Sequence, residues 1–339
     1  MNRLRFAVLA VGALSLGPSL LAETDVARSV VMRQSRVTTT PGLRPSALRS
    51  DCPSVGLLPE CFTVEVPVLA RVQGSAFFRT LIAITNNTSK NGVRAHYQFS
   101  YTCVAAACSP AGGFYRTTGQ TITLPALGSF VQDDFIDYLN SQGLLQPGAE
   151  QGSIGTLLVT FSNLPTSNGY EANVVARTYN RLVEADATQG TVGFAYNASL
   201  FFDSADTTLV GFARDTKAAP TIAGKLRSNI GIRNTDINGT NQNMTVDITF
   251  YDTATGQKVG TNAVSFADLR PGEVRQVSDI WATAGISSTV TSVIVFADAR
   301  TPTATSPTME GYITIIEGQN TQDAALFTML CADANGCGN

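Results

Sequence analysis

From residue 63 onward the chain alternates apolar and polar side chains in short runs, separated by Gly, Asn, Asp, Pro and Thr. Phe77 to Asn86, Val93 to Thr102, Ile154 to Phe161, Glu171 to Asn180, Met244 to Tyr251 and Val290 to Phe296 are such runs, rich in β-branched and aromatic residues. A period of two with that composition predicts strands with one buried face. Two segments depart from it. Asp133 to Leu144 and Asp279 to Ile286 begin with acids and end beside a Gly, which predicts one or two helical turns with carboxylates at the positive end of the helix dipole.

The pattern also occurs twice. Phe78 to Asn86 aligns without gaps on Leu226 to Asn234, and Leu127, Asp137, Leu139, Gly143 and Leu144 match Leu269, Asp279, Trp281, Gly285 and Ile286 at one constant offset. Leu157-Leu158-Val159 then matches Val293-Ile294-Val295, and the strand at Glu171 matches the one at Glu310. Four matches in the same order predict an internal duplication. The expected fold is all-β: two tandem homologous β-sandwich domains, Ig-like or jelly-roll-like, at 63–206 and 207–330, each with one short helix.

Alternation assigns faces. Ile82 and Ile84, like Ile230 and Ile232, point one way, so Arg79 and Arg227 point to the outer face of a sheet. Asn86 and Asn234 end their strands, where an Asn side chain closes a turn on its own backbone. Arg227, Asn229 and Arg233 form an outward polar stripe, the candidate ligand face.

The first 22 residues change the setting. Arg3 and Arg5 precede an apolar stretch from Phe6 to Ala22 broken by Gly12, Gly17 and Pro18, the layout of a secretory signal and too short for a membrane span. Residues 23–62 read as an arm with a disulfide loop; Arg28, Arg33, Arg36, Arg44 and Arg49 lie in a stretch without acids. The six Cys fall in close pairs, Cys52 with Cys61, Cys103 with Cys108 and Cys331 with Cys337, the last pair in a tail at 331–339. In an exported protein local staples are the simplest of their 15 connectivities.

Composition then narrows the chemistry. The chain has 339 residues, 14% of them charged, with 23 basic and 26 acidic residues and a single His. Nothing in that balance draws it to nucleic acid, and one His excludes sites needing two imidazoles from one chain. His96 shares a strand face with Arg94 and Gln98 and reads as a surface residue. The stretch Gly152-Ser153-Ile154-Gly155 has the wrong spacing for a nucleophile elbow. Asp133 and Asp134 read as a helix start. Glu171 and Glu310, expected at equivalent places, suit a repeated structural or binding feature. Asp236 to Asn243 and Asp333 to Gly336 offer oxygen ligands near Gly without the spacing of a calcium loop. The Asn-x-Ser/Thr triplets begin at Asn86, Asn87, Asn197, Asn238 and Asn243 and reflect crowded loops. No catalytic residue, metal or cofactor is expected.

The strand Arg79 to Asn86, the turn Leu269-Arg270-Pro271-Gly272-Glu273 and the strand end Ala176-Arg177-Thr178-Tyr179-Asn180 together resemble a repeated β-sandwich module of secreted bacterial proteins, acidobacterial in type. The likeness covers about residues 66 to 330 and implies an accessory module without catalytic residues. The first unit departs from it, with Gly128-Ser129 in place of Pro-Gly and an added Cys103 to Cys108 loop.

These readings converge on a non-enzymatic protein, secreted or at the cell surface, with the periplasm also open. Its expected partners are an extracellular protein or glycan, or a second copy met through the N-terminal arm; a membrane span is not expected. A filament or coat subunit and a carboxylate-dependent glycosidase or lyase are the alternatives.

Overall fold

In β2 (Phe77–Asn86) every second side chain is buried: Thr80, Ile82 and Ile84 are fully enclosed, while Leu81 and Ala83 are half-exposed. The same alternation recurs in the strand Met244–Asp252, whereas the strands Phe62–Gln73 and Leu226–Asn234 are buried on both faces for most of their length. The computed structural model describes residues 61–73, 77–110, 112–165, 171–181, 191–200, 208–215, 226–235, 242–300, 308–317 and 324–331. All of them lie in the compact unit Pro45–Asn339.

The first half opens with β1 (Phe62–Gln73), followed after β2 by β3 (Val93–Cys103), β4 (Phe114–Arg116), β5 (Gln120–Leu124) and β6 (Ser129–Gln132). Helix α1 (Phe135–Ser141) leads to β7 (Ser153–Ser162), β8 (Ala172–Arg181), β9 (Thr191–Asn197) and β10 (Ser199–Leu200). Antiparallel pairing makes two layers. Sheet A runs β3-β7-β1-β10, with β4 and β5 both on the free edge of β3; sheet B runs β6-β2-β8-β9. A bulge between Val66 and Leu69 lets β1 finish against β2, so one strand serves both layers.

The second half contains β11 (Thr208–Arg214), β12 (Leu226–Asn234), β13 (Met244–Asp252), β14 (Lys258–Leu269), β15 (Val274–Val277), α2 (Ile280–Ala284), β16 (Ser292–Arg300), β17 (Met309–Glu317), β18 (Ala324–Thr328) and β19 (Leu330–Cys331). Sheet C runs β14-β13-β16-β11-β19 and sheet D runs β15-β12-β17-β18. Each half has its own apolar core between its two sheets, one centred on Tyr97, Phe99, Phe135 and Phe161, the other on Phe250, Phe266, Trp281 and Val295.

Strand order in the second half follows that of the first, and local bonds agree. The Thr80 hydroxyl accepts from the Ala70 N–H (2.9 Å) and donates to the Ala70 carbonyl (3.1 Å); the Ser228 hydroxyl does the same with Arg214 at 3.0 and 2.7 Å. Asn86 Nδ2 donates to the Lys90 and Pro125 carbonyls, and Asn234 Nδ2 to those of Gln242 and Leu269, all within 2.9 Å. Beyond closing their own turns, both Asn therefore clasp the turn that leads into β6 or β15. The turns share their backbone bond but not their residues: Leu127 (φ 53°) occupies the left-handed site that Gly272 (φ 79°) takes in the second half.

Four register details differ from the sequence alignment. Asn86 N donates to the Gly128 carbonyl where Asn234 N donates to that of Glu273, so Leu127 takes the place of Gly272 and not of Leu269. Asp134 caps α1 by accepting from Asp137 N, and Asp279 caps α2 by accepting from Ala282 N, so the functional counterpart of Asp279 is Asp134 rather than Asp137. Glu171 accepts from Asn87 N where Thr308 accepts from Thr235 N, and Glu310 pairs with Arg233 where Asn173 pairs with Thr85. Glu171 and Glu310 are thus two positions apart in the ladder, not equivalent. The edge pairings of β10 and β19 likewise place Leu157 at the position of Val295 rather than Val293. The two strand matches are off by two residues, a shift that preserves the inward and outward pattern, whereas the turn and the cap are each off by three, where no strand alternation holds the register.

Candidate functional site

Charged and polar side chains meet where the halves join. In β12, Ile230 and Ile232 enter the second core, which sends Arg227, Asn229, Gly231 and Arg233 to the outer face of sheet D. In β1, Val64 and Val66 enter the first core, which sends Glu65 to the outer face of sheet A. These two outer faces pack against each other. Val68, Val274 and Tyr312 form a small apolar cluster between them, flanked by Ile154, Tyr196 and Leu326.

Within this seam the Arg233 guanidinium pairs with the Glu65 carboxylate, and Glu310 stands 3.8 Å from the same nitrogen. Glu65 is 0% and Arg233 2% exposed. A charge pair so enclosed is held by mutual neutralisation; removing one partner strands the other at a cost of about 3–5 kcal/mol. Arg116 in β4 reaches the same region, donating to Ser100 Oγ (3.2 Å) and towards the Pro271 carbonyl (3.5 Å). Burial, with Arg233 nearby, pulls the Arg116 guanidinium below its ordinary range. Tyr196 donates to the Val68 carbonyl and Tyr312 to Gln276 Oε1 (3.1 Å), and burial pushes both phenols upward. Tyr312 lies directly across the ladder from Gly231, where an added Cβ would fall 2.1 Å from the ring. Its ring occupies the space that the missing side chain leaves.

The candidate ligand face is therefore corrected. Arg227, Asn229 and Arg233 do share an outer face, but Arg233 is enclosed there against Glu65 of the first half and Asn229 against groups of its own half. Asn229 is 3% exposed, donating to Thr314 Oγ1 (3.0 Å) and accepting from Asp279 N (3.0 Å); Arg227 is half-buried. Sequence reasoning missed Glu65, Arg116 and Tyr312. The available signal was Val64-Glu65-Val66, an acid alone at an outward position inside an apolar strand.

A second polar feature is an open depression of about 450 Å³ lined by Asp133, Asp134, Asp137, Tyr138 and Ser141. Arg71 holds both Asp134 (2.8 Å) and Asp137 (3.2 Å), Arg79 stands 3.6 Å from Asp134, and both guanidiniums lie over the Phe77 ring. Arg79 is outward as expected, yet buried beneath this cluster.

The remaining sites are structural. His96 is exposed beside Arg94, with Nδ1 3.0 Å from Thr121 Oγ1. Ser153 is fully buried and donates to the Ala149 carbonyl (2.7 Å). Cys103 and Cys108 form a disulfide, and Cys61 is disulfide-bonded as well. Cys52, Cys337, the stretch 236–241 and Asp333 to Gly336 lie outside the described residues, as does the arm up to residue 60. Among the described residues no cluster of His, Cys, Asp and Glu is built to hold a metal, and no helix is long and apolar enough to cross a membrane. No protein-family model matches the chain, and no curated protein matches it.

Proposed function

We propose that the chain is an exported, non-catalytic protein of the cell surface or surroundings, in which two homologous sandwiches act as one structural or binding module. The observation that carries this reading is the use made of its charges. Glu65 and Arg233 are committed to joining the halves, and Asp134 and Asp279 to starting helices, so the best-built polar site is a joint. The matching hydroxyl and Asn bonds of the two hairpins support common descent. The basic, then apolar, N-terminus and the paired Cys support export. Ligands, whether protein or glycan, would meet loops and the sheet faces left uncovered.

The test is fractionation of cells making the full chain, with the mass of the product measured. Recovery outside the cytoplasm as a chain lacking about 22 residues, the length of a typical leader, is the expected result; an uncleaved cytoplasmic chain overturns the export reading. A glycosidase or lyase draws on the Asp133–Asp137 depression. A proton-donating carboxyl needs an apolar setting, whereas Asp134 and Asp137 both face Arg71. Cleavage of polysaccharides that disappears in Asp137→Asn would favour that second reading.

A further inference from the structure

The seam consumes one outer face from each half, that of sheet A and that of sheet D. Strand order makes sheet C the counterpart of A and sheet B the counterpart of D. Among the described residues two faces of the same kinds thus remain, at opposite ends of the pair, and each has changed where the seam has its charges. The edge pairings of β10 and β19 put Val210 at the place of Glu65, and the hairpin bonds put Thr85 at the place of Arg233. Both members of the buried ion pair are neutral on the leftover faces. Had only one lost its charge, bringing such faces together would bury the other unpaired.

The uncovered C face is also apolar. Tyr251, Ile294 and Phe212 form one cross-strand row, and Phe296, Val210 and Leu330 the next. Phe212 is 36% and Leu330 39% exposed, and the Tyr251 and Phe296 rings meet edge to face at 5.6 Å. At the ladder positions of Tyr251 and Ile294 the covered A face carries Ser100 and Thr156. The uncovered face is therefore the more apolar of the two. On sheet B, Val131, Ala83 and Val175 line up across three strands with Leu81 beside them, and Val131 is 51% exposed.

We propose that a second copy of this chain covers the C face, using the outer face of its own sheet B, so that the contact between copies continues the contact between halves. Such a contact is heterologous: each copy offers one donor face and one acceptor face, and addition continues into a filament or closes into a ring. The inference deepens the structural branch of the proposed function but rests on sheet faces, not on export, so fractionation and assembly can fail separately.

The test is sedimentation velocity on the full chain over a concentration series, with Phe212→Asp altering the C face and Val131→Asp the B face. Both positions are exposed, and unchanged circular dichroism and melting establish that each variant folds. Wild type is expected to form species larger than dimer. At the concentration where it is half associated, each variant alone should sediment as a monomer. Mixed in equal amounts, the two should form a dimer and nothing larger, because each retains the face the other has lost. A monomeric wild type, variants that assemble like wild type, or a mixture that stays monomeric would each overturn the proposal.

Discussion

The two hairpins that open the halves share their inward and turn chemistry and, beyond the common outward arginines Arg79 and Arg227, differ in their outward chemistry. Thr80 and Ser228 bind the preceding strand in the same way, and Asn86 and Asn234 clasp the same turn. On the other face, Thr85 and Ala83 stand where Arg233 and Gly231 stand, and only the latter are roofed by another sheet. Inward and turn positions answer to the sandwich itself; outward positions answer to whatever is packed over them.

The sharpest way to break this contrast is at the ion pair. Arg233→Ala should leave the Glu65 carboxylate buried and unpaired, lowering stability by about 3–5 kcal/mol, whereas Thr85→Ala at the corresponding place in the first half should change it by less than about 0.5 kcal/mol. Chemical denaturation of the two variants compares them directly. Replacing both seam charges by the neutral residues of the leftover faces, Glu65→Val with Arg233→Thr, should recover most of the loss. A double variant as unstable as Arg233→Ala would show that the seam needs its charges for more than mutual neutralisation.

The shared clasp makes the next prediction. Asn86→Ala and Asn234→Ala each remove two donors from carbonyls beneath a buried side chain, with an expected cost of about 2–3 kcal/mol in both halves. Similar losses would sharpen the comparison, and a loss confined to one half would break it. The smallest effect belongs to the turns. Leu127 bears a positive φ where the second half has Gly272, so Leu127→Gly should stabilise the protein by about 1 kcal/mol, read as a higher melting temperature.

How much of this was legible in the chain follows the same division. Strand positions, the inward sets Ile82/Ile84 and Ile230/Ile232, both helices and the Asn turns could be read, because alternation and turn chemistry are local. The seam could not. Arg233 looks the same on an exposed face and on a face roofed by another sheet, since nothing local records what lies above it. Along the strands register was legible only to within two residues, the repeat of the strand pattern itself, so Glu171 and Glu310 look equivalent; in the turn and cap between strands, where Leu127 takes the place of Gly272 and Asp134 that of Asp279, it slipped by three.

The pairing of Gly231 with Tyr312 carries an evolutionary consequence. At the same ladder positions the first half has Ala83 opposite Val175. The two solutions divide a similar volume differently, and no single substitution leads comfortably from one to the other. Gly231→Ala drives a methyl group into the ring of Tyr312, and Tyr312→Val leaves bare backbone under an unfilled gap. The positions are epistatic: each residue is acceptable only in the presence of its partner, and lineages that reached one pairing are held there until both change.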